Sequence, residues 1–198
     1  MIKNIIFDMG NVLLRYDPDY MLSFFTDDTA DRALLKNAIF QTPDWLSLDR
    51  GTIDEAKAYA GMCKSLPERL YPLCADVLMN WHRHFDAIGE MYGFALKMKQ
   101  KGYRLYVLSN AHQSFWQYFT SKPVCALMDG IVLSSDVKLL KPDEEIYRLL
   151  FKNFSLVPDE CFFIDDTEIN VETGRKLGMK GYVFDGNIEA LEKEIESC

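Results

Sequence analysis

The sequence predicts an α/β protein, a doubly wound parallel sheet with a small helical domain inserted after its first strand. Three observations carry this. Ile5-Ile6-Phe7 is a continuous apolar run that meets Asp8 and then the turn dipeptide Gly10-Asn11, as expected of a strand buried on both faces of a parallel sheet. From Gly89 onward, short strand-like runs alternate with helical periodicity, which implies parallel strands covered by helices on both faces. Between these parts, residues 16 to about 86 lack β-branched runs and show helical spacing only. The expected division is a core of residues 1–15 and 88–198 and a helical cap of residues 16–87.

Each element has a local reason. Tyr20, Met21, Phe24 and Phe25 repeat at helical spacing behind Pro18-Asp19, and Leu34, Leu35, Ala38 and Ile39 do so behind Thr29 or Asp31. Thr52 followed by Glu55 three residues later reads as a capping box. Pro67-Glu68 opens a helix through Leu70, Leu73, Val77, Leu78 and Trp81. About four helices are expected in the insert. A helix from Glu90 to Gln100 stops at Gly102, and the strand Arg104–Leu108 delivers Ser109 and Asn110 at its end. Gly130–Leu133 is the next strand, leading into Ser134, Ser135 and Asp136; Lys141-Pro142-Asp143 starts a helix with Pro142 in its first turn. Cys161–Ile164 is a strand ending in Asp165-Asp166, followed by a helix to Leu177, the strand Gly181–Phe184 and a C-terminal helix from about Ile188.

Composition narrows the function classes. Of 198 residues, 48% are apolar, enough for a sizeable core, while 22 basic against 30 acidic residues leave a net charge of −8 without a basic run. That balance argues against nucleic acid as a partner. A small anionic substrate stays compatible, because a metal ion and one lysine invert the field locally. Five cysteines, odd in number and without a C-x-x-C pair, read as reduced thiols of a cytosolic protein rather than as disulfides or a zinc site. The N-terminus runs directly into a strand, and no apolar segment reaches bilayer length. A cytoplasmic protein without a membrane partner is expected.

The chemistry-bearing residues sit at strand ends. In a parallel sheet all carboxyl ends share one edge, where ligands bind. Asp8, Ser109-Asn110, the Lys141 loop and Asp165-Asp166 should therefore converge. Three packed carboxylates repel one another unless a cation joins them, and hard oxygen ligands suit Mg²⁺. With Lys141 and the Ser109 hydroxyl alongside, such a pocket suits a metal-bound phosphate. Asp8 would attack phosphorus and form an aspartyl-phosphate that water later cleaves.

The order of these motifs resembles that of the haloacid dehalogenase-like hydrolase superfamily, most of whose members are phosphatases, over essentially the whole chain. Phe7-Asp8-Met9-Gly10-Asn11-Val12 is similar to the first motif, Val107-Leu108-Ser109-Asn110 to the second, Lys141-Pro142 to the third, and Phe163-Ile164-Asp165-Asp166-Thr167 through Asn170 to the acidic fourth. The resemblance implies Asp8 as nucleophile and metal ligand, with the Gly10 carbonyl and Asp166 as further Mg²⁺ ligands. It implies phosphate binding by the Ser109 hydroxyl, the Asn110 amide and Lys141. Asp165 would hydrogen-bond near Lys141 or reach the metal through water, and Asn170 would lie outside it. The implied partner is a small phosphorylated metabolite, and a sugar phosphate suits best.

One position departs from the pattern. Such phosphatases usually carry a second Asp two residues after the nucleophile as general acid and base; here Gly10 stands there. Losing a positioned acid costs about 10²–10⁴-fold in rate. Three responses fit: a substrate with a good leaving group, such as an anomeric or acyl phosphate; another acid, with His112 the nearest candidate; or weak turnover, which would leave a ligand-binding or regulatory protein. A haloacid-type dehalogenase is the rival enzyme, in which Asp8 would attack carbon; its chemistry needs no metal, so Asp165-Asp166 favours phosphate. A phospho-receiver domain uses similar residues in a different chain order. From the insert, Trp45, Tyr16 and Phe40 are candidates to line the pocket. Trp81-His82-Arg83-His84 reads as an inter-domain or solvent-facing segment rather than a metal site.

Overall fold

The computed structural model describes residues 1–198. Strand β1 is Asn4–Phe7. Five helices follow: α1 Pro18–Leu22, α2 Thr29–Ile39, α3 Pro43–Asp49, α4 Glu55–Met62 and α5 Tyr71–Asn80. Then come α6 Gly89–Gln100, β2 Arg104–Ser109, α7 Phe115–Phe119, β3 Gly130–Leu133 and α8 Ser134–Val137. The chain closes with α9 Glu144–Phe154, β4 Cys161–Asp165, α10 Glu168–Lys176, β5 Lys180–Val183 and α11 Ile188–Glu196.

All strand pairs are parallel, in the order β3-β2-β1-β4-β5. The chain winds outward from β1 to β3 and then returns to add β4 and β5 on the other side. The reversal falls between β1 and β4, the point at which open α/β sheets form their crevice. The two-residue period of a strand divides β1 between two layers. Ile5 and Phe7 join a cluster of 40 buried residues that includes Phe94 and Met98 of α6 and Leu191 of α11. Ile6 joins a smaller cluster of 11 with Ile146, Tyr147 and Leu150 of α9. Helices thus cover both faces, as the doubly wound reading requires.

The helical segment leaves and rejoins the sheet through a paired neck. Arg15 N–H donates to the Asp86 carbonyl at 2.9 Å, and Ile88 N–H donates to Leu13 at 3.0 Å. The larger cluster does not stop there: Met21, Leu35, Trp45, Ala58, Cys74 and Trp81 of the helical segment belong to the same apolar body as the sheet face.

Three local expectations change. The insert holds five helices, because Thr42 caps a separate α3, its hydroxyl accepting the Trp45 N–H at 3.2 Å with Pro43 in the first turn. The cap of α4 is Asp54, whose carboxylate accepts the Lys57 N–H at 2.8 Å, while Thr52 donates its hydroxyl to the Ser47 carbonyl. Gly51, in the left-handed region at φ +71°, reverses the chain after α3 and pushes the start of α4 beyond Thr52. Pro142 lies before α9 rather than in its first turn, since Asp143 holds the cap position. All five cysteines are free, and no helix is long and apolar enough to cross a membrane.

Candidate active site

Asp8 is the first residue past β1. Its N–H still donates to the Ile164 carbonyl at 2.8 Å, so the register with β4 holds until the side chain emerges at the crevice. A tight loop follows, in which the Met9 carbonyl accepts the N–H groups of Leu13 and Leu14, both at 2.9 Å. Asn11 takes the left-handed region at φ 54°, which Asn tolerates better than most residues. Its side chain ties the loop in two directions: Oδ1 accepts the Tyr16 N–H at 3.0 Å, and Nδ2 donates to Asp166 Oδ2 at 3.0 Å.

Lys141 arrives from the loop between α8 and α9, held by a two-point clamp. Asn110 Nδ2 donates to the Lys141 carbonyl at 2.9 Å, and the Lys141 N–H donates to Asn110 Oδ1 at 2.8 Å. The lysine side chain, 1% exposed, puts Nζ 2.7 Å from Asp8 Oδ1 and 2.7 Å from Asp165 Oδ2. Asp165 is fully buried, and its other bonds come from the Thr167 N–H at 2.8 Å and Asn170 Nδ2 at 3.1 Å. Burial alone would depress the lysine, but the charges and hydrogen bonds of Asp8 and Asp165 outweigh it and hold its pKa above the ordinary value. For Asp8, burial pushes the carboxyl up to about 7, against the pull of Lys141 and with that of Asp165.

Carboxylate oxygens of Asp8, Asp165 and Asp166 lie within 4.8 Å of one another. Asp165 is fully buried behind Lys141 and does not line the cavity, whereas Asp8 and the partly exposed Asp166 do, so these two are the pair placed to offer oxygens to a metal. Hard, anionic oxygens at this spacing fit Mg²⁺.

These groups open onto a cavity of about 270 Å³. Asp8, Gly10, Asn11, Asn110, Lys141, Asp166 and Asn170 line it from the sheet edge; Tyr16, Trp45, Asp49, Trp81 and Phe85 line it from the helical side. The structure therefore brings Asp8, Gly10, Asn110, Lys141, Asp166 and Asn170 to one place. Ser109 is buried at the end of β2 and does not line the cavity, whereas its neighbours Asn110 and Ala111 do. Phe40 also stands back, packing edge-on against Tyr16 at 6.4 Å.

His112 is not brought to Asp8. It lines a different cavity, with Nδ1 3.2 Å from Ser114 Oγ and Nε2 3.7 Å from Glu55 Oε1. Burial lowers its pKa, partly countered by Glu55, and its ring, outside the cavity, is not placed to give a proton to a group bound at Asp8. Of the basic tetrapeptide, Trp81 is buried in the cavity wall, His82 stacks on Tyr118 and His84 on Phe24. Sequence reasoning missed Asp49 and Asn11, whose significance rests on contacts distant in the chain.

A doubly wound sheet thus carries a buried Asp–Lys–Asp chain and a third carboxylate at its switch point, the edge at which open α/β sheets bind ligands. Residues 53–184 match the haloacid dehalogenase-like hydrolase family, and the chain belongs to it. Among curated relatives, D-ribitol-5-phosphate phosphatase of Bacteroides thetaiotaomicron is 26% identical over 197 residues, covering 92% of this chain and 91% of the relative. Sesquiterpene phosphatase astK of Aspergillus oryzae is 25% identical over 204 residues, covering 99% and 97%. A crystal structure of a family enzyme from Bacteroides thetaiotaomicron, in complex with magnesium and inorganic phosphate, superposes with a TM-score of 0.73 at 24% identity, over 94% of this chain and 96% of that one.

Proposed function

We propose that this chain is a Mg²⁺-dependent phosphatase that hydrolyses a small phosphomonoester through an aspartyl-phosphate on Asp8. The observation that carries the reading is Lys141 Nζ at 2.7 Å from Asp8 while Asp166 stands within carboxylate-sharing distance. A dehalogenase needs no metal, so a second carboxylate placed to share one with Asp8 favours the phosphatase. The phosphatase names of the two full-length relatives support the same reading.

Asp8, the Gly10 carbonyl and Asp166 are the groups to hold Mg²⁺, which supplies compensation for the phosphate charge when bound. Lys141 offsets further negative charge and orients the Asp8 carboxylate through its hydrogen bond. Asp165 and Asn170 keep the lysine charged and in place. The Asn110 backbone N–H is assigned to the phosphate oxygens and the Asn110 side chain to the Lys141 main chain, while Ser109, buried behind the cavity wall, supports this turn without reaching the phosphate. The ester's carbon skeleton lies against Tyr16, Trp45, Trp81 and Phe85, a surface suited to the C–H faces of a sugar or polyol phosphate. Residues 16–87 act as the cap over this chamber, excluding bulk water from the acyl phosphate until hydrolysis.

A phosphate-release screen over sugar, polyol and acyl phosphates, with and without Mg²⁺, tests the reading. Metal-dependent release that disappears in Asp8→Asn is expected. Release unaffected by chelation, or halide release from 2-haloacids in its place, would overturn it. Asp166→Ala should shift the Mg²⁺ titration to higher concentration, and an unchanged titration would move the metal elsewhere.

A further inference from the structure

We propose that Asp49 is the proton donor and acceptor of this enzyme, supplying from the cap the function that Gly10 has no side chain to perform. The inference rests on the phosphatase reading and goes beyond it by assigning a role to a residue outside the sheet edge. Asp49 lines the same cavity as Asp8 and Lys141, from the opposite wall. Of the three carboxylates there, Asp8 is bonded to Lys141 and Asp166 to Asn11. Asp49 has no lysine or arginine partner; the adjacent Arg50 turns away to Asp143 at 3.9 Å.

Its position is fixed relative to the sheet although it belongs to the helical segment. The Asp49 carbonyl accepts the Ser134 hydroxyl at 2.5 Å, and the Ser134 hydroxyl oxygen in turn accepts the Ala111 N–H at 2.9 Å. Two residues on, Gly51 lies so close to the sheet domain that a Cβ there would meet the Ser135 carbonyl oxygen at 2.3 Å. The end of α3 is thus registered against the segments that follow β2 and β3. A cap residue held in this way can meet a leaving group bound at Asp8 with the positional accuracy that proton transfer needs.

The surroundings favour the protonated form. Burial among the aromatic side chains pushes the Asp49 carboxyl well above its ordinary value, with the His112 main-chain N–H pulling the other way. The other proton-bearing side chain on that wall, Tyr16, is pushed upward by burial and by Asp49 itself, further from a useful range.

Asp8 attacks phosphorus, the bond from phosphorus to the ester oxygen breaks, and that oxygen takes its electron pair and the Asp49 proton, leaving as the alcohol. Asp49 is now a carboxylate. It accepts a proton from the water that attacks the aspartyl-phosphate, the bond from phosphorus to Asp8 breaks, and phosphate leaves with both aspartates restored.

The test compares the wild type with Asp49→Asn in Mg²⁺ under single-turnover conditions, on p-nitrophenyl phosphate and on ribitol 5-phosphate. A nitrophenolate leaves without protonation, whereas an alkoxide does not. First-turnover release of ribitol should fall by about 10²–10⁴-fold while that of nitrophenolate stays within about 10-fold. Equal losses on both esters, or no loss on either, would overturn the assignment. Asp49→Ala must show the same split, and circular dichroism of both variants must match the wild type. A merely binding role would instead raise KM on ribitol 5-phosphate with the first-turnover rate at saturation kept. A wild type that releases neither alcohol would overturn the phosphatase reading itself, a distinct result.

Discussion

Lys141 is the residue on which the site's electrostatics turn. A lysine 1% exposed between two carboxylates is tolerable only because every charge has a partner and Asp165 has three further hydrogen bonds. Removing it with Lys141→Ala strands Asp8 and Asp165, and a loss of about 3–5 kcal/mol is expected in urea unfolding at neutral pH. A loss below about 1 kcal/mol would mean that the three groups are not a buried network. Asp49 presents the opposite case, a carboxyl without a compensating cation. It faces Tyr16, Tyr118 of α7 and, across the cavity, Asp8, Asp166 and Lys141. Its folded-state pKa lies above the unfolded value near 4. Its stabilising contribution is therefore complete below about pH 4 and declines as pH rises towards the folded value. Asp49→Asn has no proton to lose. Its melting temperature should approach or exceed that of the wild type as pH increases from about 4 to 8. A pH-independent difference in melting temperature would place Asp49 in ordinary solvent.

At the scale of elements, legibility follows how local the cause is. The β1 run, the motif at its end and the strand–helix alternation are properties of neighbouring residues, and strands and their order of appearance could be read directly. So could the convergence of Asp8 and Asp166, because a parallel sheet puts every carboxyl end on one edge; Lys141, beyond α8, is held at that edge by Asn110. Helix α3 could not. It is seven residues long, and only Trp45 and Leu48 are buried on it, too few for a periodic pattern to emerge. With α3 went Asp49, its last residue. The Asn110 clamp on Lys141 spans 31 residues and the Asn11–Asp166 bond spans 155, so neither leaves a mark in the local sequence. His112 misled for the converse reason: proximity in the chain to Asn110 does not place its ring in the same cavity. The aromatic wall carries its own test. Trp81 packs edge-on against Trp45 at 4.9 Å and Phe85 at 5.0 Å. Trp81→Ala should cost about 3–5 kcal/mol of stability and raise KM. A variant with unchanged KM would remove the wall from substrate binding.

For the whole molecule, one apolar body of 40 residues runs from the sheet into the helical segment, so that segment is held by shared packing as well as by its neck. The net charge of −8 surrounds a site built for an anion. Long-range repulsion should slow capture of the phosphate ester, and Lys141 with Mg²⁺ must reverse the field at short range. Raising ionic strength from about 0.01 to 0.15 M shortens the Debye length from about 30 to 8 Å, and kcat/KM should rise modestly. A steep fall would point to attraction by a charge arrangement other than this one. The central claim is that Asp8 carries the phosphoryl group between its two bonds to oxygen. Acid-quenching the enzyme during turnover with Mg²⁺ and mapping its peptides tests this directly. A phosphoryl adduct on the peptide bearing Asp8, absent in Asp8→Asn, is the expected result; full turnover with the adduct on another residue, or with none trapped at any time point, would contradict it.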